Sequence, residues 1–201
     1  MEDENIVIRA KEGDREAFDE LYNAYKRPIL NYLYRFIGNR HCAEELTQET
    51  FIRAYTNLHR FEPRAKFSSW LYKIAGNLAR NFLRHASYDK RVRPVKVDPY
   101  SDASGDVLST ENIACPAKKP DEHVYKKEIE AIIQQAIDHL PVHLKEAVIL
   151  CDIKELSYED AAKIMKCRPM TVGSRLWRGR KKLAELLDYM KNGEKEDDMR
   201  N

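Results

Sequence analysis

Met170-Thr-Val-Gly-Ser-Arg-Leu-Trp-Arg-Gly-Arg-Lys-Lys182 carries the cations Arg175, Arg178, Arg180, Lys181 and Lys182, one tryptophan and no acid. A solvated helix face accounts for the charge but not for a Trp, which has a large apolar surface to hide from water. With residues about 100° apart on a helix, Val172, Leu176, Leu183, Leu186 and Leu187 share one side. Ser174, Trp177, Arg178 and Lys181 share the opposite side, so the Trp stands outside, among cations. Just upstream, Leu156-Ser-Tyr-Glu-Asp-Ala-Ala162 opens a short helix, with Ser157 as its cap and Asp160 three residues on. Cys167-Arg-Pro169 is a tight connection between the two. A short helix, a turn and a helix with a basic outer face make helix-turn-helix geometry, whose second helix enters the major groove of DNA. There an Arg pairs bidentately with guanine, and a large ring contacts a thymine methyl or the sugar-phosphate wall.

The rest of the chain repeats this charge pattern. Its 201 residues have a formal net charge of only +2, yet the cations are segregated. Between Arg53 and Arg93 ten basic residues face only Glu62 and Asp89, and between Lys163 and Lys182 eight basic residues face no acid. Two separated basic clusters on a nearly neutral chain point to two contacts with one polyanion. The N-terminus has no basic segment followed by an apolar run, and no apolar stretch is long enough to cross a membrane, which argues against export or insertion. Cys42, Cys115, Cys151 and Cys167 include no C-x-x-C pair, the pattern of a reduced cytosolic protein.

All of the periodicity is helical, so the expected fold class is all-α: two small helical domains joined by a flexible linker. The first domain, residues 1–92, has helical stripes through Phe18–Phe36 with a stop at Gly38, through Cys42–Leu58, and through Ser69–His85, the last capped by Ser68 or Ser69. The pattern dissolves over 93–121, where Pro94, Pro99, Pro116, Pro120 and Ser-Asp-Ala-Ser-Gly105 cluster. A coil of about 28 residues spans about 29 Å r.m.s., enough for two lobes to share one duplex without touching. Helical pattern resumes at Glu122 and is broken at Leu140-Pro141, so residues 122–190 form the second domain, a helix-turn-helix four-helix unit. Residues 191–201 read as a polar, frayed tail.

The first domain has its own outward aromatic. In Lys66-Phe-Ser-Ser-Trp-Leu-Tyr-Lys-Ile-Ala-Gly-Asn-Leu-Ala-Arg-Asn-Phe-Leu-Arg84, the stripe Leu71, Ile74, Ala75, Leu78 and Phe82 is core. A second face gathers Trp70, Lys73, Asn77, Arg80, Asn81 and Arg84. An aromatic, two amides and cations are what unpaired bases require: a plane for stacking, donors and acceptors for base edges. Removing a base from a duplex costs a few kcal/mol, and stacking returns about 1–3 kcal/mol per base. Such a surface captures a strand that something else has opened.

Together these motifs resemble the extracytoplasmic-function (ECF) class of bacterial RNA polymerase sigma factors, in their region 2 and region 4 domains. The carriers are Ala43-Glu-Glu-Leu-Thr-Gln-Glu-Thr-Phe-Ile-Arg-Ala-Tyr55, Phe67-Ser-Ser-Trp-Leu-Tyr-Lys-Ile-Ala-Gly-Asn77, Leu140-Pro141, Leu156–Ala162 and Thr171-Val-Gly-Ser-Arg175. The resemblance implies a cytoplasmic specificity subunit, monomeric when free and without enzyme activity or cofactor of its own. Its partners would be core RNA polymerase, through the β′ clamp helices and the β flap, promoter DNA, and an anti-sigma factor. By position, Glu45, Leu46, Gln48, Glu49 and Phe51 would dock on the polymerase. Phe61, Lys66, Trp70, Lys73, Asn77, Arg80, Asn81 and Arg84 would take the −10 element, with Phe61 and Asn77 lining a flipped-base pocket. Thr171, Ser174, Arg175, Trp177, Arg178 and Lys181 would take the −35 element, with Arg175 and Arg180 near phosphates. Two positions depart from the family pattern: Met170 stands where Gly is usual, and Gly173 where Lys or Arg is usual. The lost cation predicts an altered −35 preference.

An enzyme reading finds little to stand on. His139 and His143 have ligand spacing, but Pro141 separates them where two helices join. The chain has no P-loop, no G-x-S-x-G and no paired catalytic carboxylates. A two-domain DNA-binding regulator acting without polymerase is the nearer rival. The Gln48-Glu49 surface separates the two, since only a sigma factor needs it to bind polymerase.

Overall fold

The computed structural model describes the backbone of residues 2–62, 66–92 and 120–198, and the side chains of residues 4–62, 66–86 and 129–189. Among these residues every regular element is helical. Four helices form the first lobe: α1 (Glu2–Lys11), α2 (Arg15–Ile37), α3 (Arg40–Asn57) and α4 (Phe67–Val92), with a single 3₁₀ turn at Leu58–Arg60. Four more form the second: α5 (Pro120–Asp138), α6 (Val142–Val148), α7 (Tyr158–Met165) and α8 (Pro169–Asp198), with a π turn at Ile149–Ile153. The expected linker, 93–121, falls almost wholly outside the described residues.

Local chemistry sets the boundaries. The Asp14 carboxylate accepts from Ala17 N–H at 3.2 Å and starts α2, and Gly38, at φ +79°, ends it by donating to the Tyr34 carbonyl. Asn39 then caps α3, its Oδ1 accepting from Cys42 N–H at 3.0 Å. Pro28 lies inside α2. Two expectations need correction, and one helix was not expected. α4 starts at Phe67 with Lys66 as the turn residue before it, Trp70 N–H donating to the Lys66 carbonyl, so neither Ser68 nor Ser69 is a cap. α1 has no counterpart in the sequence reading, and α8 continues to Asp198 through the stretch read as frayed.

The first lobe closes around Leu21, Ile29, Tyr32, Leu33 and Phe36 of α2, Phe51 of α3 and Leu71 and Ala75 of α4. The second closes around Ile137, Leu144, Val148, Leu150, Ile164, Val172 and Leu176. The lobes also touch. α4 packs on α7 and α2 on α5. Arg35 Nη1 donates to Gln134 Oε1 at 3.1 Å, while Gln134 Nε2 donates to the Arg35 carbonyl at 3.2 Å. Lys145 Nζ donates to the Phe36 carbonyl at the end of α2 and to Asp138 Oδ1. Lys66 pairs with Asp160 at 3.1 Å, and Arg80 forms an ion pair with Glu146.

Candidate nucleic-acid interface

In the second lobe, Ser157 Oγ accepts from Asp160 N–H at 3.1 Å, as expected of a capped α7. Lys166 adopts the left-handed conformation at φ +52° and closes α7, and the Arg168 carbonyl accepts from Thr171 and Val172 N–H to start the next turn. Val172 and Leu176 are sealed against Ala161, Ala162 and Ile164, which fixes the roll of α8. Ser174, Trp177, Arg178 and Lys181 therefore point outward. Trp177 is 66% exposed, with Lys181 Nζ 5.9 Å from its ring centroid. Ser174 Oγ donates to the Thr171 carbonyl. Arg180, expected beside phosphates, instead grips Asp152 with two hydrogen bonds of 3.1 and 2.5 Å. Arg175 is half-buried, and its charge acts on Glu146 of its own lobe. Met170 is 86% exposed, and a β-carbon at Gly173 would meet only the edge of the Tyr158 ring, at 3.5 Å.

The first-lobe face divides in two. Lys73, Asn81 and Arg84 are exposed, with Arg84 Nη2 donating to Asn81 Oδ1 at 2.9 Å. Trp70 is half-buried in an aromatic cluster with Phe61 and Phe67, at ring separations of 5.2 and 5.7 Å. Phe61 was expected to line a base pocket, but it is only 4% exposed and belongs to the core. Its backbone carbonyl is also engaged, by Lys11 Nζ at 2.8 Å. Asn77 and Arg80 are tied together, Nη2 to Oδ1 at 2.7 Å, and Arg80 in turn holds Glu146. Lys66 is held by Asp160.

The residues expected to dock on a protein partner lie on α3. Glu45 and Gln48 are exposed, Leu46 packs partly on the core, and Phe51, at 4% exposure, is buried edge-on against Tyr22 rather than offered to a partner. The acids do not form a bare acidic patch. Glu44 pairs with Arg40 and Glu49 with Arg53 along the same helix, and Glu45 lies 3.5 Å from the His41 ring. What the surface does have is a groove between α2 and α3, of about 610 Å³, lined by Phe18, Tyr22, Gln48, Phe51, Ile52 and Tyr55. Ile52 and Tyr55 are more than half exposed there and were missed by the sequence reading, although Gln48, Ile52 and Tyr55 have one-face spacing (i, i+4, i+7).

The described residues contain no group of three or more His, Cys, Asp or Glu that could hold a metal. His139 Nδ1 contacts the Gln135 carbonyl in the last turn of α5. Burial, then the Glu45 charge, raises the Cys42 thiol pKa; burial, then Asp152, raises that of Cys151. Neither is therefore an activated thiolate. No described helix is long and apolar enough to cross a membrane.

Both lobes of the chain match known families. Residues 21–88 match the Sigma-70 region 2 family and residues 130–183 the Sigma-70, region 4 family. The chain is 37% identical to the ECF RNA polymerase sigma factor SigW of Bacillus subtilis, covering 90% of this chain and 94% of that protein. It is 34% identical to the RNA polymerase sigma-H factor of Pseudomonas aeruginosa, covering 92% and 94%. In fold it is similar to CnrH in complex with the cytosolic domain of CnrY, at TM-score 0.67 and 20% identity over 94% of this chain and 99% of that one. It is also similar to the sigma factor RpoE of Bartonella quintana bound to the anti-sigma factor NepR, at TM-score 0.66 and 23% identity over 85% and 96%.

Proposed function

The chain belongs to the ECF family of RNA polymerase sigma factors, and from that premise we propose how its surfaces divide the work of promoter-specific initiation. Residues 1–92 dock on core polymerase and capture the −10 strand, 122–190 read the −35 duplex, and 93–121 join the two. Docking uses the α2–α3 groove, with Gln48 in its wall and Ile52 and Tyr55 as apolar anchors, together with Glu45 and Glu49 of the same helix. The outward face of α8 lies in the major groove, with Arg178 and Ser174 at base edges, the Trp177 ring on thymine methyls or sugar, and Lys181 on phosphate. Trp70, Lys73, Asn77, Arg80, Asn81 and Arg84 hold the unpaired non-template strand. Phe61 and Phe51 support these surfaces from beneath.

The energetics favour this division. A few kcal/mol per extruded base exceeds what one half-exposed ring returns, so strand separation is driven by the assembled polymerase and trapped by α4. Catalysis of RNA synthesis stays with the polymerase, and the site of action is the cytoplasm. The fold relatives seen with CnrY and NepR support an inhibitory protein partner for this chain too.

One observation carries the reading: Trp177 and Lys181 stand side by side on solvent, opposite the sealed Val172–Leu176 seam. Purified chain, added to core polymerase on a genomic DNA library, should yield transcripts from a defined promoter subset that core alone does not produce. Transcript starts no different from those of core alone would overturn it.

A further inference from the structure

The head of α8 carries no charge. From Pro169 to Ser174 its side chains are those of Met170, Thr171, Val172 and Ser174, with Gly173 adding none. Arg168 stands in the turn before the helix, and the first cation within it, Arg175, is half-buried. In a helix-turn-helix the N-terminal residues of the second helix face the base edges. This end of α8 therefore has no forked cation of its own to hold a guanine. The Ser174 hydroxyl proton is already given to the Thr171 carbonyl, which leaves only its oxygen free to accept.

What the head presents instead is apolar. Met170 is almost wholly exposed, Trp177 is mostly exposed, and Tyr158, the first residue of α7, is 44% exposed. Met170 and Trp177 are seven positions apart, about two turns, and so lie along one line of α8. Between them Gly173 leaves a gap walled by the Tyr158 ring. A β-carbon there would lie 3.5 Å from Cε2 and 3.9 Å from Cδ2 of that ring, and no other element comes within 4 Å. The flank of this strip is cationic, with Arg178 and Lys181 exposed beside Trp177. Its complement is apolar in the middle and anionic at its rims. The major groove over an A·T pair has that pattern, because the C5 methyl of thymine is the apolar group on a base edge and phosphates line both sides. The flexible thioether of Met170 adapts well to such a small apolar target.

We propose that Met170, backed by the Tyr158 ring across the Gly173 gap, reads one thymine methyl of the −35 element, and that Trp177 reads a second. This rests on the assignment of the outer face of α8 to the −35 major groove. Seven residues of helix rise about 10 Å, and base pairs stack about 3.4 Å apart, so the two thymines stand about three base pairs apart. A lysine or arginine at 173 would fill the gap with a charged stem and favour guanine there; glycine keeps the head selective for a methyl.

The test uses holoenzyme reconstituted from core polymerase and the full chain, on promoters taken from its own genomic transcripts. Each thymine of the −35 element is replaced singly by deoxyuridine, which removes the C5 methyl and leaves every hydrogen-bonding group of the pair in place. Affinity is read by competition against the unmodified promoter. The parent should lose roughly fourfold at each of two thymines about three base pairs apart. Met170→Ala should bind the unmodified promoter roughly fourfold less tightly and no longer respond to deoxyuridine at one of them, and Trp177→Ala should do the same at the other. Tyr158→Ala should shrink the fall linked to Met170, and Tyr158→Phe, which keeps the ring, should restore it. Circular dichroism checks that each variant is folded. A parent indifferent to every replacement, or −35 elements without thymine opposite the head of α8, would overturn the inference. So would Tyr158→Ala behaving as the parent, or Met170→Ala retaining both falls; if that variant also lost affinity for core polymerase, the head would be a protein contact instead. A holoenzyme that selects no promoter fails the sigma reading itself, whereas one that transcribes its promoters yet ignores deoxyuridine fails this inference alone.

Discussion

Asp138 of α5 stands over Gly38 so closely that a β-carbon at that glycine would lie 2.6 Å from Oδ2. Gly38 is therefore needed twice, as the left-handed terminus of α2 at φ +79° and as the floor on which the second lobe rests. Gly38→Ala should cost about 1–2 kcal/mol from the backbone alone, before any displacement of Asp138. For a chain of this size that is a fall in melting temperature of several degrees, at roughly 2–4 °C per kcal/mol. Calorimetry and scattering on one sample should show both a lower transition and a larger particle. A lower transition at unchanged size would confine the role of Gly38 to the α2 cap.

Glu146 makes closure of the two lobes on each other depend on pH. Burial raises its pKa above the ordinary 4.5, outweighing the opposing pull of Arg80, Arg175 and the buried Tyr32 hydroxyl, which lies beside it without closing a regular hydrogen bond. A group whose value is raised in the closed form contributes its full stability below 4.5 and loses it as pH rises through the raised value. Closure should therefore tighten as pH falls from neutral toward 4.5. Asp160 acts in the opposite sense: burial pushes its pKa up, but the Lys66, Ser157 and Lys163 contacts prevail and hold it below 3.8, so its contribution is lost only in stronger acid. A titration of particle size between neutrality and 4.5 checks the sign, and Glu146→Gln should flatten it. A parent particle that expands on acidification over that range would contradict this.

Trp177 and Arg178 should matter to DNA and not to folding. Exposed as they are, each changed to Ala should shift stability by no more than about 0.5 kcal/mol. Arg178→Ala should cost about 1–3 kcal/mol of binding to a selected −35 duplex and relax one base position. Gly173→Lys, whose β-carbon would make only ordinary contact with the Tyr158 ring at 3.5 Å, should change the base preference at the head of α8 rather than merely raise affinity. Selection from a random duplex library, run with each variant, gives these profiles. Identical logos for the parent and Gly173→Lys would show that residue 173 reads no base.

Most of α8 was legible because its signal is local. Val172 and Leu176 set one face, Trp177 and Lys181 the other, and the burial follows the 3.6-residue period. The Ser157 cap was legible for the same reason. Phe61 was not: it lies outside any helical repeat, so nothing in its neighbours reveals that Phe67 and Trp70 enclose it. The contact between lobes was invisible for a stronger reason. Lys145 and Glu146 look like solvated charges on a short helix, and only the arrival of Arg80 and the Phe36 carbonyl from distant sequence makes them interior. α1 was missed because its short polar sequence has too weak a stripe to stand without α2 beneath it.

The α2–α3 groove gives the most direct test of polymerase docking. Ile52 is 58% exposed and Tyr55 51%, with Tyr55 meeting Phe18 edge-on at 4.9 Å, so about half of this apolar surface is open to solvent. Gln48 lies one turn from Ile52 on the same face, while Glu49 is taken up by Arg53 at 2.6 Å. Ile52→Asp should leave the melting temperature within a degree or two. Placing a charge among desolvated anchors at an interface typically costs 2 kcal/mol or more, so affinity for core polymerase should fall by roughly thirtyfold. Glu49→Lys should cost less, because reversing a rim charge acts mainly on association rate and salt dependence. Duplex binding through α8 should survive both changes. If Ile52→Asp binds core polymerase as tightly as the parent, the groove is not the docking site, and the exposed apolar side chains of α3 need another partner.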